Sequence, residues 1–152
     1  MVFSSCDLIT SSTKTDFEEG PVPFEVLREH YDGICNLNFA ALDSTAFNKD
    51  EYDLSKVEVI IDNLEDFDQL VTCHEDLEID FNEYLVLAGM SRTHHQCVKI
   101  RKQEVFLANN VLFYRIDLRE ADCMTPEAAS YMVKVPAKYG DLSIKFEIFW
   151  GN

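Results

Sequence analysis

The sequence predicts a mostly β domain of the α+β type: an antiparallel sheet or β-sandwich of six to seven strands with one packed helix. Three observations lead there. Period-two alternation of apolar and polar residues recurs from residue 56 to the end of the chain. A convincing helical period occurs in one segment, around residues 63–73. Strand follows strand without the regular βαβ alternation of a dinucleotide-binding fold.

At 152 residues the chain is the length of one domain, and a chain of that size buries roughly 70% of its unfolded surface. Hydrophobic residues make up 47%, with eleven Phe, six Tyr and one Trp. No run approaches the roughly 18 apolar residues that a transmembrane helix needs.

Residues 1–22 read as a disordered tether leading into a single β-rich domain over 23–152. "MVFSSC" sets small residues before Cys6, as at the tail of a bacterial lipoprotein signal, and makes Cys6 the candidate lipidation site. The charged start and most of the apolar stretch of such a signal are missing, so the alternative is a plain disordered start. "DLITSSTKTDFEEGPVP" is polar, rich in Ser and Thr, and closed by two prolines, which suits a tether.

"PFEVLREHYDGIC" (23–35) suits a short strand and turn, with Gly33 in the turn, and 36–55 is a loop rich in Asn, Asp and Ser. "KVEVIID" (56–62) alternates, with Val57, Val59 and Ile61 on one side and Glu58 and Ile60 on the other. The helix follows: Asp62 or Asn63 caps it, Glu65 and Asp66 sit in its first turn, and Leu64, Phe67, Leu70 and Val71 share a face as far as about Cys73. "HEDLEIDFNE" is an acidic connector into "YLVLAGM" (84–90), which is apolar on both faces and hence a central strand.

"CVKIRKQEVFLA" and "VLFYRIDL" form a hairpin that turns at Asn109-Asn110, because Asn tolerates positive φ. Leu112, Tyr114, Ile116 and Leu118 point inward there. "SYMVKV" (130–135) turns Tyr131, Val133 and Val135 inward. After a turn at 139–141, "LSIKFEIFW" places Leu142, Ile144, Phe146, Ile148 and Trp150 on one face, as a closing antiparallel strand would. Ile60 and Phe113 lie on outward phases, where a second layer or a partner would have to cover them.

The formal charge of −15 is uneven. Residues 1–83 hold 21 acids against 4 bases, a net −17, and residues 84–152 hold 7 against 9, a net +2. The few bases are strewn along strands and make no basic footprint, so no nucleic-acid partner is expected. Such acidity most often marks a solvated face. The acids of "DNLEDFDQ" do not form a calcium loop, since its sixth and twelfth positions, counted from Asp62, are Phe67 and Cys73.

Five cysteines occur, none in a CxxC pair. With Cys6 set aside, Cys35, Cys73, Cys97 and Cys123 could form up to two disulfides in an oxidising compartment, in any of three connectivities. "GMSRTHHQC" (89–97) is the one stretch with suggestive chemistry. On a strand only His95 and Cys97 would share a face, two ligands do not make a zinc site, and no cysteine-protease signature surrounds Cys97. A metal- or thiol-dependent enzyme centred on His94, His95 and Cys97 is therefore the alternative to a polar loop entering a strand. No GxSxG, HExxH, Walker or GxGxxG motif is present.

The order of "PFEVLREHYDGI", "VEVIID", "LEDFDQLV", "IDFNEYLVLAGMSR", a hairpin and "SYMVKVPAKYGDLSIKFEI" resembles the PrcB-type C-terminal domain, from about Pro23 to Trp150. The resemblance implies a small envelope protein, secreted or lipid-anchored, that assists a protease or another surface complex and has no catalysis of its own. In place of the family's Gly-Gly-Tyr turn stand Thr93, His94, His95, Gln96 and Cys97. The expectation is thus a non-enzymatic, protein-binding domain of the cell envelope, with Arg92, Thr93, His94, His95 and Gln96 as the partner-contact loop. No catalytic residue, metal or cofactor is expected, and the membrane is reached only through a lipid on Cys6. A protease inhibitor presenting a loop, and a cytoplasmic location, are the alternatives.

Overall fold

The computed structural model describes residues 16–27, 35–38, 41, 56–91, 97–122 and 129–151, with only the backbone of Lys56, Cys97 and Ala129. Eight strands form two four-stranded sheets. In chain order they are β1 (Gly20–Pro21), β2 (Glu25–Val26), β3 (Lys56–Ile61), β4 (Tyr84–Ser91), β5 (Cys97–Ala108), β6 (Val111–Ala121), β7 (Ala129–Pro136) and β8 (Ser143–Gly151), and one α-helix, α1 (Leu64–Leu70), follows β3. One sheet has the order β1-β5-β6-β8 and the other β2-β7-β4-β3. The mostly β, sandwich-like fold, with α1 packed on one sheet, is the one the alternation predicts.

Between the sheets lies an apolar core. Leu112, Tyr114, Ile116 and Leu118 of β6 are fully buried against Leu85, Leu87, Val133 and Val135 of the opposite sheet. The hairpin turn is where the asparagines put it, with φ of 51° at Asn109 and 59° at Asn110. Tyr114 and Tyr131 meet edge to face across this core, their centroids 5.9 Å apart. Gly89 stands opposite Tyr131 in the β4–β7 register. A Cβ there would run into the Tyr131 ring and come within 2.7 Å of the Val57 carbonyl, so glycine is what lets that ring lie flat on β4.

A second core lies on the far side of β3, β4 and β7, where Val57, Ile61, Val86, Ala88, Met90 and Met132 pack under Phe67 and Val71. This explains why β4 reads apolar on both faces: it is central and covered twice. Asn63 caps α1, accepting a 2.8 Å hydrogen bond from the Asp66 amide. The helix is shorter than its periodicity suggests. Val71 turns extended, bridges Leu37 and lets Cys73 bond to Cys35. That bond joins residues 38 apart in sequence, and in the loop-entropy account such a closure contributes about 4 kcal/mol. Leu64, assigned to the apolar face, is instead 59% exposed, because the buried stripe begins only at Phe67.

Two further expectations change. β8 is the last strand, but it runs parallel to β6, with Leu112 opposite Ile144 and Ile116 opposite Ile148. The chain leaves β6, crosses to the other sheet as β7 and returns, which restores the direction of β6. Period-two alternation reports faces and carries no direction. The domain also begins earlier than residue 23. Phe17 packs on Tyr139 with centroids 5.2 Å apart, Gly20–Pro21 pairs with β5, and Val22 is buried. Two prolines made this stretch look like tail, yet proline suits a sheet edge.

Candidate functional site

Among the described residues, the sheet β1-β5-β6-β8 packs only one face against the rest of the chain. On its other face the registers bring Phe106 opposite Phe113, Glu104 opposite Arg115, and Arg115 opposite Glu147. These residues form a continuous arrangement. The Phe106 and Phe113 rings stack with centroids 5.0 Å apart and 11° between planes. The Arg115 guanidinium lies 4.7 Å from the Phe106 centroid and 5.1 Å from that of Phe149, a cation held between two ring faces. Its Nε and Nη2 both donate to Glu147 Oε2, at 3.1 and 2.9 Å, which fixes the plane of the group.

Around this centre the charges alternate. Lys102 Nζ lies 2.6 Å from Glu104, and Arg101 lies 3.9 Å from Asp117. The Lys102 hydrogen bond, aided by its charge and that of Arg115, holds the Glu104 carboxyl below its usual range. Phe149 is 48% exposed and Trp150, at the strand end, 46%. Shallow grooves flank Arg115 on both sides. One of about 360 Å³ is lined by Asp117, Phe149, Trp150 and Gly151, and another of about 510 Å³ by Pro21, Phe24 and Phe106.

Comparison of the chain with protein-family models, curated proteins and solved structures finds no match.

The residues singled out from sequence fall elsewhere. Cys6 and the loop of Arg92, Thr93, His94, His95 and Gln96 lie outside the described residues, as does the side chain of Cys97. What is described is the frame of that loop. It joins Ser91, which ends β4 in one sheet, to Cys97, which opens β5 in the other. His74 is described, and its Nδ1 lies 2.8 Å from the Val71 carbonyl at the end of α1. Asp80, in the acidic connector, accepts from the Asn82 amide and side chain and shapes the turn into β4. Among the described residues no three His, Cys, Asp or Glu side chains group as a metal site would need.

Sequence reasoning passed over Phe106, Arg115, Glu147 and Phe149. A signal was present: Phe106, Phe113 and Phe149 stand on the phase of their strands that elsewhere carries Lys, Arg, Glu and Asp. An aromatic on the solvent phase of a one-faced strand is the mark of a covered or contact-making surface.

Proposed function

We propose that this chain is a non-enzymatic, protein-binding module of the cell envelope, of the PrcB type, that meets its partner on the face centred on Arg115. The observation that carries the proposal is the Phe106–Arg115–Phe149 stack, half-exposed at Phe149, with Trp150 exposed beside it. Arg, Trp and other aromatics are the residue types that concentrate binding energy at protein interfaces. Here Arg115 is already ordered by two hydrogen bonds to Glu147, which lowers the entropy lost on binding. The bonded pair Cys35 and Cys73 supports an oxidising compartment, in keeping with lipid anchoring at Cys6.

Affinity capture from the native envelope tests this. The wild-type chain is expected to recover a protein reproducibly, Arg115→Ala and Phe149→Ala to lose most of it, and His94→Ala/His95→Ala to retain it. Equal recovery by all three variants would remove the face from consideration, and loss through the histidines alone would return the contact to the 92–96 loop. Intact mass of the same preparation should show a diacyl or triacyl group on a cleaved Cys6. An unmodified Met1 would sink the lipid anchor.

A further inference from the structure

The strand β8 ends its sheet. Its inner side pairs with β6, and no described residue pairs with its outer side. At the opposite end the sheet is closed by only two residues, one of them Pro21, which has no N–H to offer. β8 is different: nine residues, no proline, and apolar side chains at Ile144, Phe146, Ile148, Phe149 and Trp150. Such an edge is a template for another strand.

We propose that the strand is a second β8: two copies of this chain join antiparallel through these edges, on a two-fold axis at Phe146, into one eight-stranded sheet. The choice of occupant follows from charge. A chain of net −15 should repel its copy, but β5, β6 and β8 together with Asp122 hold six bases and five acids, so this sheet is nearly neutral. The register is self-complementary as well. With Phe146 opposite itself, Lys145 of each copy faces the partner's Glu147, twice, and Ile144 faces the partner's Ile148, twice. Moving the axis one residue sets Lys145 against Lys145 or Glu147 against Glu147. Opposed unlike charges stabilise an antiparallel pair and like charges destabilise it, which selects the Phe146 register.

The side chains are prepared for this. Both nitrogens of Arg115 that bind Glu147 use the same oxygen, Oε2. Oε1 remains for a second cation, and Lys145 has no ion-pair partner among the described residues. The seam would run Lys145, the partner's Glu147 and the partner's Arg115 in a row. Because the contact is isologous it closes at two copies and does not grow into a fibre. It would also double the face proposed above, although it does not depend on that proposal.

The test is the solution mass of the full 152-residue chain, wild type and charge-reversed. Wild type should have twice the mass of one chain. Lys145→Glu alone opposes Glu to Glu, and Glu147→Lys alone opposes Lys to Lys; each should fall to the mass of one chain. Mixed in equal amounts, the two variants restore both unlike pairs and should again show double the mass, which neither could do if unfolded. Hydrogen exchange of wild type should show β8 amides protected at high concentration and released on dilution. A wild type with the mass of one chain, a dimer that survives Lys145→Glu, or folded variants that stay apart when mixed would each overturn the proposal. So would a one-chain species whose β8 takes up an extended segment of another protein.

Discussion

The two sheets have the same number of strands and opposite surroundings. The β2-β7-β4-β3 sheet is covered on both sides, by the inter-sheet core and by α1 with its disulfide-bonded flap. The β1-β5-β6-β8 sheet is covered on one side and displays Phe106, Phe113, Arg115 and Phe149 on the other. The strands of the twice-covered sheet hold two aromatic residues, Tyr84 and Tyr131, whereas those of the other hold six, so composition already leans toward the once-covered sheet. What differs is whether described residues of the chain pack on the second face. The twice-covered sheet is where substitution should cost stability, and the once-covered sheet is where it should cost association.

Phe67 offers the largest contrast. It is fully buried in the second core and its ring lies 5.7 Å from that of Phe81. Phe67→Ala removes an aromatic side chain from a packed site and should lower the unfolding free energy by about 3–5 kcal/mol. Urea denaturation followed by Trp150 fluorescence measures it. A loss below about 1 kcal/mol would mean that the helix and flap are not a true second cover.

Much of this division was legible in the sequence, and the reasons differ between elements. Alternation placed Leu112, Tyr114, Ile116 and Leu118 inward because a one-faced strand imposes period two on its core residues. The two-sided run 84–90 announced a central strand for the same reason. Direction was not legible: nothing in "SIKFEIFW" records that β8 runs parallel to β6, since facing depends on phase alone. The end of α1 was also hidden, because it is set by the Leu37 bridge and the Cys35–Cys73 bond, both long-range. The face proposed for contact was half legible. Phe113 stood out as an outward aromatic, but its neighbours Phe106 and Phe149 come from other strands, and only the registers bring them together.

The inter-sheet core should show itself at high pH. Burial pushes the Tyr131 hydroxyl up to about 12, an effect the Ser91 hydrogen bond reduces and Glu58 increases. Burial also raises the Tyr114 hydroxyl well above its ordinary value, with Tyr131 adding to it. A raised pKa means the folded chain holds the proton more tightly than the unfolded chain, whose tyrosines titrate near 10. The stabilisation is therefore complete below about pH 10 and is lost as pH climbs toward 12. Two units at Tyr131 correspond to a loss of about 3 kcal/mol. Stability measured from pH 8 to 12 should be flat and then fall. Tyr131→Phe lacks the ionisable group and should fall less steeply. If both chains decline alike, the two tyrosines are not what the sheets close upon.

Phe149→Ala should have the smallest effect on stability. Its ring is nearly half exposed, and among the described residues it flanks a guanidinium that Phe106 and Glu147 also hold. Surface cation–π contacts contribute about 0.5–1 kcal/mol, so its unfolding free energy should stay within about 1 kcal/mol of wild type. The same substitution should abolish most partner recovery. This pairing separates the two sheets most sharply: at Phe67 an aromatic is needed for the fold, whereas at Phe149 the fold survives without one. If Phe149→Ala instead unfolds the domain, the outer face is held by something inside the chain. The aromatic phase of β5, β6 and β8 would then be packing, and the partner would have to be sought at the 92–96 loop.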